Sequence, residues 1–179
     1  MKLFGEIPMI KNRRIVLKPL TVRDIPYLMD MISDGEVYTY LPTFLIEQQY
    51  DDMHRLIHDL YNDCIEKKDS LILGVYTIEG NAFCGLAEFY GFNDKIHKTC
   101  IGYRFMRKYW GRGLASETVA VMVDYLFNGT DMEIITASTM IENAASARVL
   151  EKNGFIRTAK AVPEDWGYQM PTIADKWLR

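Results

Sequence analysis

The sequence predicts a mixed α/β fold in which one central mixed sheet carries helices on both faces. Three observations point to it. Apolar, strand-like runs come first in an uninterrupted series, and strands and helices then alternate. The central runs, such as SLILGVYTI, are apolar at nearly every position, as expected of strands covered on both sides. Two segments, one after Gly113 and one after Asn143, carry helical patterning between strand-like runs.

The elements follow in order. Residues 14–19 (RIVLKP) read as a short strand ended by proline. Thr21 with Asp24 three residues later is a capping pair, Pro26 suits a first turn, and a helix runs to about Ser33 before Asp34-Gly35 breaks it. Tyr50, Met53, Leu56, Ile57, Leu60, Tyr61, Cys64 and Ile65 recur at three- and four-residue spacing, which predicts a helix from about Glu47 to Lys67. Ser70–Ile78 and Phe83–Phe92 form a hairpin about Glu79-Gly80-Asn81, and Thr99–Met106 is a third strand. A strongly apolar helix, about Leu114–Phe127, is capped at Asn128-Gly129. Glu133–Thr139 is a strand, Asn143–Asn153 a helix stopped by Gly154, and Phe155–Lys160 a strand with which the tail from about Gln169 to Trp177 can pair.

The chain of 179 residues has 49% hydrophobic, 25% charged and 12% aromatic residues. This is the composition of an ordinary globular domain, so one domain over residues 1–179 is expected. Net charge is −3 and the isoelectric point about 5.6, which disfavours a protein living on phosphate contacts with nucleic acid. No apolar stretch is long enough to span a bilayer, and MKLFGEIPMIKNRR has neither an apolar core nor a cleavage site of a signal peptide. Cys64, Cys84 and Cys100 are odd in number and widely spaced, so a reduced, cytoplasmic setting is expected, with Cys84 and Cys100, in strand-like runs, as buried inert thiols. His54 and His58 stand four apart, but Arg55 occupies the place where the zincin pattern needs glutamate, and no third ligand is evident; no metal is expected.

The chemistry concentrates in residues 103–117, YRFMRKYWGRGLASE. A strand ends, a turn with Gly111 and Gly113 follows, and a helix begins. Free amides at a helix start, with the positive end of the helix dipole, make an anion site suited to phosphate, and Arg107, Lys108 and Arg112 add charge. The nucleotide P-loop pattern is absent, and the Rossmann fingerprint lacks its third glycine, so a nucleotide hydrolase is disfavoured. Taken alone, the loop is equally a tight structural turn.

A second stretch lies about thirty residues downstream: Asn143, Ser146, Glu151-Lys152-Asn153-Gly154-Phe155. Together the two resemble the GCN5-related N-acetyltransferase (GNAT) superfamily. There a Q/R-x-x-G-x-G/A loop binds the pyrophosphate of acetyl-CoA, and a helix reading N-x-x-S/A…E-K-x-G-F flanks the pantetheine arm. YWGRGLASE, with Arg14, Leu17, Lys18, Pro19, Leu20 and Asp24 upstream, is similar to the branch that acetylates ribosomal-protein N-termini. The resemblance covers residues 14 to about 160. It implies a twisted mixed sheet of about seven strands and direct transfer of acetyl from the CoA thioester to an amine. Phe105, Met106, Arg107, Lys108, Gly111, Arg112, Gly113, Leu114, Ala115 and Asn143 are the implied cofactor-binding residues. The ends of Phe105–Arg107 supply backbone N–H donors for the oxyanion.

Two departures stand out. Lys108 replaces the usual Gln or Arg, losing the planar fork. Leu150 occupies the place where many members have the tyrosine that protonates the leaving thiolate. Ser146 is then the implied donor, against the alternative of a hydroxyl bonded one turn back along its helix. A general base is also required. Glu88, an acid in the apolar run AFCGLAEFYGF, is the first candidate, provided it is not on a solvated strand face; Glu164 and Asp165 are the second. Tyr38, Tyr40, Leu41, Pro42 and Phe44 are either an aromatic lip of the acceptor site or packing of a loop.

The acceptor expected from this resemblance is a protein N-terminal α-amine. A polyamine or aminoglycoside, or a non-catalytic CoA-binding module, are the competing readings. A monomer or homodimer is expected, with no nucleic-acid or membrane partner.

Overall fold

The computed structural model describes residues 6–67 and 69–179, the side chains of 62–67 excepted. Cys64 and Ile65 of the helical pattern, and residues 1–5 of the N-terminal reading, therefore lie outside the description. Among the described residues, eight strands form one sheet in the order β1-β2-β3-β4-β5-β6-β8-β7. They are β1 (Ile10–Lys11), β2 (Ile15–Lys18), β3 (Ser70–Thr77), β4 (Phe83–Asn93), β5 (Lys98–Phe105), β6 (Ile134–Met140), β7 (Ile156–Glu164) and β8 (Thr172–Leu178). The helices are α1 (Ile25–Ser33), α2 (Gly35–Tyr38), α3 (Met53–Lys67), α4 (Leu114–Gly129) and α5 (Ala144–Lys152). The sequence predicts about seven strands; the eighth is the two-residue β1, too short to leave a period of its own.

Strand alternation divides the core into two layers. Ile15, Leu17, Leu71, Leu73 and Val75 point to one face, where they meet Val119, Met122 and Leu126 of α4 and Leu150 of α5. Val16, Ile72, Tyr76 and Leu86 point to the other, against Leu28 and Met31 of α1 and Leu56, Ile57 and Leu60 of α3. Covering both faces is what makes β3 apolar from end to end.

Two helix boundaries shape the segments that follow α1 and precede α3. Helix α3 begins at Met53 rather than near Glu47. The Asp52 carboxylate accepts the N–H groups of His54 (2.9 Å) and Arg55 (3.3 Å) and caps the helix there. Residues 39–52 are thereby left outside that helix, with a single 3₁₀ turn at Ile46–Gln48. At the other boundary, Asp34 ends α1 but caps a further turn, α2, by accepting the N–H of Glu36 at 3.2 Å.

The site is opened by a defect in the sheet. Strands β5 and β6 are parallel and pair only over Lys98–Ile134, Thr99–Ile135 and Cys100–Thr136. Beyond that point β5 stays with β4 as far as Phe105, and β6 stays with β8 as far as Met140. The two strands part, and among the described residues their facing backbone groups have no strand partner. On the far side, β7 runs on to Glu164, past the expected end at Lys160, with Pro163 tolerated because β7 is an edge strand.

Candidate active site

Two cavities meet where β5 and β6 diverge. The first, about 410 Å³, lies between the end of β5, the turn before α4 and the face of α5. It is of a size to take a small-molecule cofactor arm. The second, about 350 Å³, lies between β4, β5, β6 and the segments around residues 40–46 and 164–166. Tyr40, Leu41, Tyr103, Arg104, Asn143 and Ser146 line both.

The first cavity is framed by backbone. Gly111 (φ 71°) and Gly113 (φ 77°) are in the left-handed region, which a β-branched residue enters only with strain. Among the described residues no atom lies within 4 Å of a Cβ built at either one, so the demand is on backbone conformation. The first helical bond of α4 runs from Glu117 N to Gly113 O at 3.1 Å. The N–H groups of Leu114, Ala115 and Ser116 are left without helical partners at the positive end of the dipole. This is an anion cradle, suited to a pyrophosphate. Trp110 Nε1 donates to Phe105 O at 2.8 Å and pins the turn to the strand end. Asn153 Nδ2 donates to Ser116 O (3.1 Å) and Val149 O (2.8 Å), tying α4 to α5 across the cavity.

Of the residues expected at the cofactor, Phe105, Gly111, Gly113, Leu114, Ala115 and Asn143 line this cavity. Met106, Arg107 and Lys108 line a neighbouring open cleft against α1 and α2 instead. The reasons are local. Met106 N donates to Cys84 O at 2.9 Å, so that amide is spent on the sheet. Strand alternation then turns the Phe105 N–H the other way, toward the gap left by β6. Arg107 Nε donates to Asp34 at 2.7 Å. Lys108 Nζ and the Arg112 guanidinium both sit against the Tyr109 ring, at 5.4 Å and 5.6 Å from its centre. Asn143 caps α5 by accepting Ser146 N at 3.1 Å, which leaves its amide NH₂ for the cavity.

The second cavity is framed by side chains. Glu88 lines it, with its side chain 15% exposed and so not on a solvated strand face. Arg104 Nη1 donates to Glu88 Oε2 at 3.0 Å, and Arg104 Nη2 donates to Glu47 Oε2 at 2.7 Å. Glu47 and Arg104 are both almost wholly enclosed, and Tyr38 OH donates to Glu47 Oε1 at 3.2 Å. Two carboxylates thus share one guanidinium. Desolvation raises the Glu88 pKa above the ordinary carboxylate value; Arg104 opposes the shift and Glu47 adds to it. Burial disfavours the charge on Arg104, but Glu47 and Glu88 outweigh it and hold the guanidinium charged.

Sequence reasoning missed Glu47 and Arg104. The helical pattern places Glu47 at a helix start, where an acid is unremarkable, and the only signal is an acid directly after an apolar run. Of the alternative bases, Glu164 lies 2.5 Å from Lys176 Nζ, and Asp165 accepts Gly167 N at 2.9 Å. Both line the cavity. Of the segment read as either a lip or loop packing, Tyr40, Leu41, Pro42 and Phe44 line this cavity, whereas Tyr38 turns inward to Glu47. The Thr43 N–H donates to Trp166 O at 2.9 Å and Tyr168 OH donates to Leu41 O at 2.7 Å, latching the lip to the β7–β8 turn.

At the junction, Ser146 Oγ lies 2.8 Å from Tyr103 OH rather than bonding one turn back along its helix. Leu150 is fully buried and offers no donor. Cys84 and Cys100 are free: Cys84 is buried, and burial raises its thiol pKa, while Cys100 is half-buried.

A sheet that parts between parallel strands, with a glycine turn and helix start at the gap, is the arrangement that the N-acetyltransferase resemblance implies. Residues 14–156 match the family described as "Acetyltransferase (GNAT) domain", and the chain belongs to that family. It is 26% identical over 170 residues to the Bacillus subtilis (strain 168) protein named "Uncharacterized N-acetyltransferase YoaA", covering 94% of this chain and 93% of that one. The fold is shared with a spermidine N-acetyltransferase from Vibrio cholerae solved with CoA and spermine (TM-score 0.76, 18% identity, 94% and 96% covered). It is shared too with RimL, a ribosomal L7/L12 alpha-N-protein acetyltransferase solved with coenzyme A (TM-score 0.79, 13% identity, 96% and 97% covered). Among the described residues no helix is long and apolar enough to cross a membrane.

Proposed function

We propose that this acyltransferase moves an acetyl group from acetyl-CoA to a primary amine, with a protein N-terminal α-amine as the favoured acceptor. The observation that carries the reading is the junction: a backbone-lined cavity and a side-chain-lined cavity share Tyr103, Asn143 and Ser146, and the enclosed acid Glu88 lies on the second side alone.

Acetyl-CoA, when bound, supplies the acetyl group as a thioester. The left-handed turn at Gly111 and Gly113 and the first amides of α4 hold its pyrophosphate. Phe105 N–H faces the gap between β5 and β6, in place to donate to the acetyl carbonyl oxygen. Asn143 offers amide donors to the pantetheine arm from its capping position. Ser146 directs a hydroxyl at the sulfur. Glu88 takes a proton from the amine, directly or through a water, and its raised pKa makes it a better base than an ordinary surface carboxylate. Arg104 fixes the carboxylate in place.

The acceptor cavity favours one cationic nitrogen on an apolar body. Its walls include Leu41, Pro42, Phe44, Ile46, Tyr90 and Trp166. Of its acids, Glu164 is matched by Lys176 and Glu88 shares Arg104 with Glu47, leaving Asp165 at the β7–β8 turn. A polyamine, with several charged nitrogens in a row, calls for more free carboxylates than this. The test is release of free CoA from acetyl-CoA with a panel of amines: short peptides with small or apolar first residues, spermidine, and an aminoglycoside. Turnover highest on the peptides supports the reading. Turnover on spermidine alone moves the acceptor to polyamines, and saturable acetyl-CoA binding with no turnover makes the chain a binding module.

A further inference from the structure

We infer that Tyr103 is a positioning residue for the leaving sulfur: its phenol donates to Ser146 Oγ and frees the Ser146 proton to point at the thiolate. The inference rests on the reading of Ser146 given above. It supplies from β5 the phenol that α5, with Leu150, lacks.

The geometry is specific. Tyr103 lies on β5 where that strand has already parted from β6, and its side chain lines both cavities. Its hydroxyl is 2.8 Å from Ser146 Oγ and 3.3 Å from Ser146 O, so both contacts fall on the first turn of α5. A phenol is a far stronger acid than an alkanol, and the shorter contact is the hydroxyl–hydroxyl one. The Ser146 carbonyl can only accept, so the single Tyr103 proton lies on this side and is shared between Ser146 O and Ser146 Oγ, with Tyr103 as donor. The serine then has one proton left, and the open direction is the cavity. Asn143 holds the same turn from below by accepting Ser146 N at 3.1 Å, so the hydroxyl is oriented from two sides. Burial pushes the Tyr103 phenol up to about 12. The phenol stays neutral across any working pH. It acts as a fixed donor, not as a proton source.

The step balances without a proton from Tyr103. The amine nitrogen bonds to the acetyl carbon, and the C–S bond breaks with its electron pair going to sulfur. Of the two protons the ammonium loses, one leaves through Glu88 to solvent and the other ends on sulfur, giving the amide and free CoA thiol. The Ser146 hydrogen bond stabilises the sulfur while it carries charge.

The experiment uses the intact chain with CoA bound and follows thiolate absorbance against pH. Wild type is expected to hold the thiol pKa of bound CoA below that of free CoA. Tyr103→Phe and Ser146→Ala should each raise it by about one unit, with acetyl-CoA affinity unchanged and kcat down about tenfold. The double variant should be no worse than Ser146→Ala alone, since the two hydroxyls act as one device. If Ser146→Ala acts and Tyr103→Phe shifts neither the thiol pKa nor kcat, the inference falls and the serine role stands. If Ser146→Ala shifts neither, the reading of Ser146 falls first. Circular dichroism of each variant separates these outcomes from misfolding; a variant that loses its fold is replaced by Ser146→Gly or Tyr103→Leu, for which the same shift is required.

Discussion

On the cofactor side, the groove is framed by main chain: two left-handed glycines, the unbonded amides opening α4 and the Phe105 N–H turned into the gap between β5 and β6. On the acceptor side, the cavity is framed by side chains brought from far apart: Glu47, Glu88 and Arg104 around one guanidinium, with an aromatic lip latched to the β7–β8 turn. The first kind of site tolerates much side-chain change as long as the backbone path holds. The second depends on a few groups whose partners are 16 and 57 residues away in the chain. In the proposed reading one surface serves the constant reactant, and the other is free to specialise for the acceptor.

The largest effect should come from breaking the backbone path. Gly111→Val puts a β-branched residue at φ 71°. That costs on the order of 1–3 kcal/mol if the turn is kept and misplaces the cradle if it is not. No described neighbour is struck, so the fold should survive. Acetyl-CoA affinity measured by calorimetry, with ATP–magnesium as control, should fall at least about a hundredfold. Unchanged affinity would show that the Gly111 turn is structural only, and the contrast between the two sides would collapse.

Next comes a change confined to the acceptor side. Glu88→Gln keeps the shape and can still accept from Arg104 but cannot take a proton. Turnover should fall by about 10²-fold or more with acetyl-CoA affinity unaltered. The pH profile sharpens this. Glu88 must be deprotonated to act, and desolvation raises its pKa above the ordinary 4.5, against Arg104 and with Glu47. The acid limb of kcat should therefore lie above the usual carboxylate range, with activity rising as pH rises through it, and Glu88→Gln should lack that limb. A variant with wild-type rate and profile would pass the role to Asp165 or Glu164.

The same contrast explains what can be read from the sequence. The glycine turn, the apolar helix after it and the Asn143 cap are encoded within about fifteen contiguous residues each, and local patterning reaches that far. The central strands match their sequence bounds to within a residue or two, since apolar runs bounded by turns mark them. Of the Glu47–Arg104–Glu88 cluster only Glu88 stands out locally, as an acid in an apolar run. Arg104 leaves no local trace, Glu47 no more than an acid after an apolar run, and the periodic pattern carried back to Glu47 points to a helix that Asp52 in fact starts later. Tyr103 is equally hidden, since a tyrosine in a strand is usual and its partner lies 43 residues on. The divergence of β5 from β6 is a property of register, invisible to composition.

The smallest effect tests whether the cofactor side is backbone alone. Arg14 forms an ion pair with Glu117 in the first turn of α4 and donates to Arg112 O at 3.3 Å, while Asn12 Nδ2 donates to the same glutamate at 3.1 Å. These contacts brace the glycine turn from the β1–β2 side without touching the cavity. The arginine is 55% exposed. Such exposed pairs are worth about 0.2–1 kcal/mol. Arg14→Ala should therefore weaken acetyl-CoA binding by no more than about two- to fivefold and leave kcat at saturation unchanged, with the loss shrinking as salt is added. A loss as large as that of Gly111→Val would mean that the cradle is held open from outside by side chains. The cofactor side would then depend on long-range partners as much as the acceptor side does.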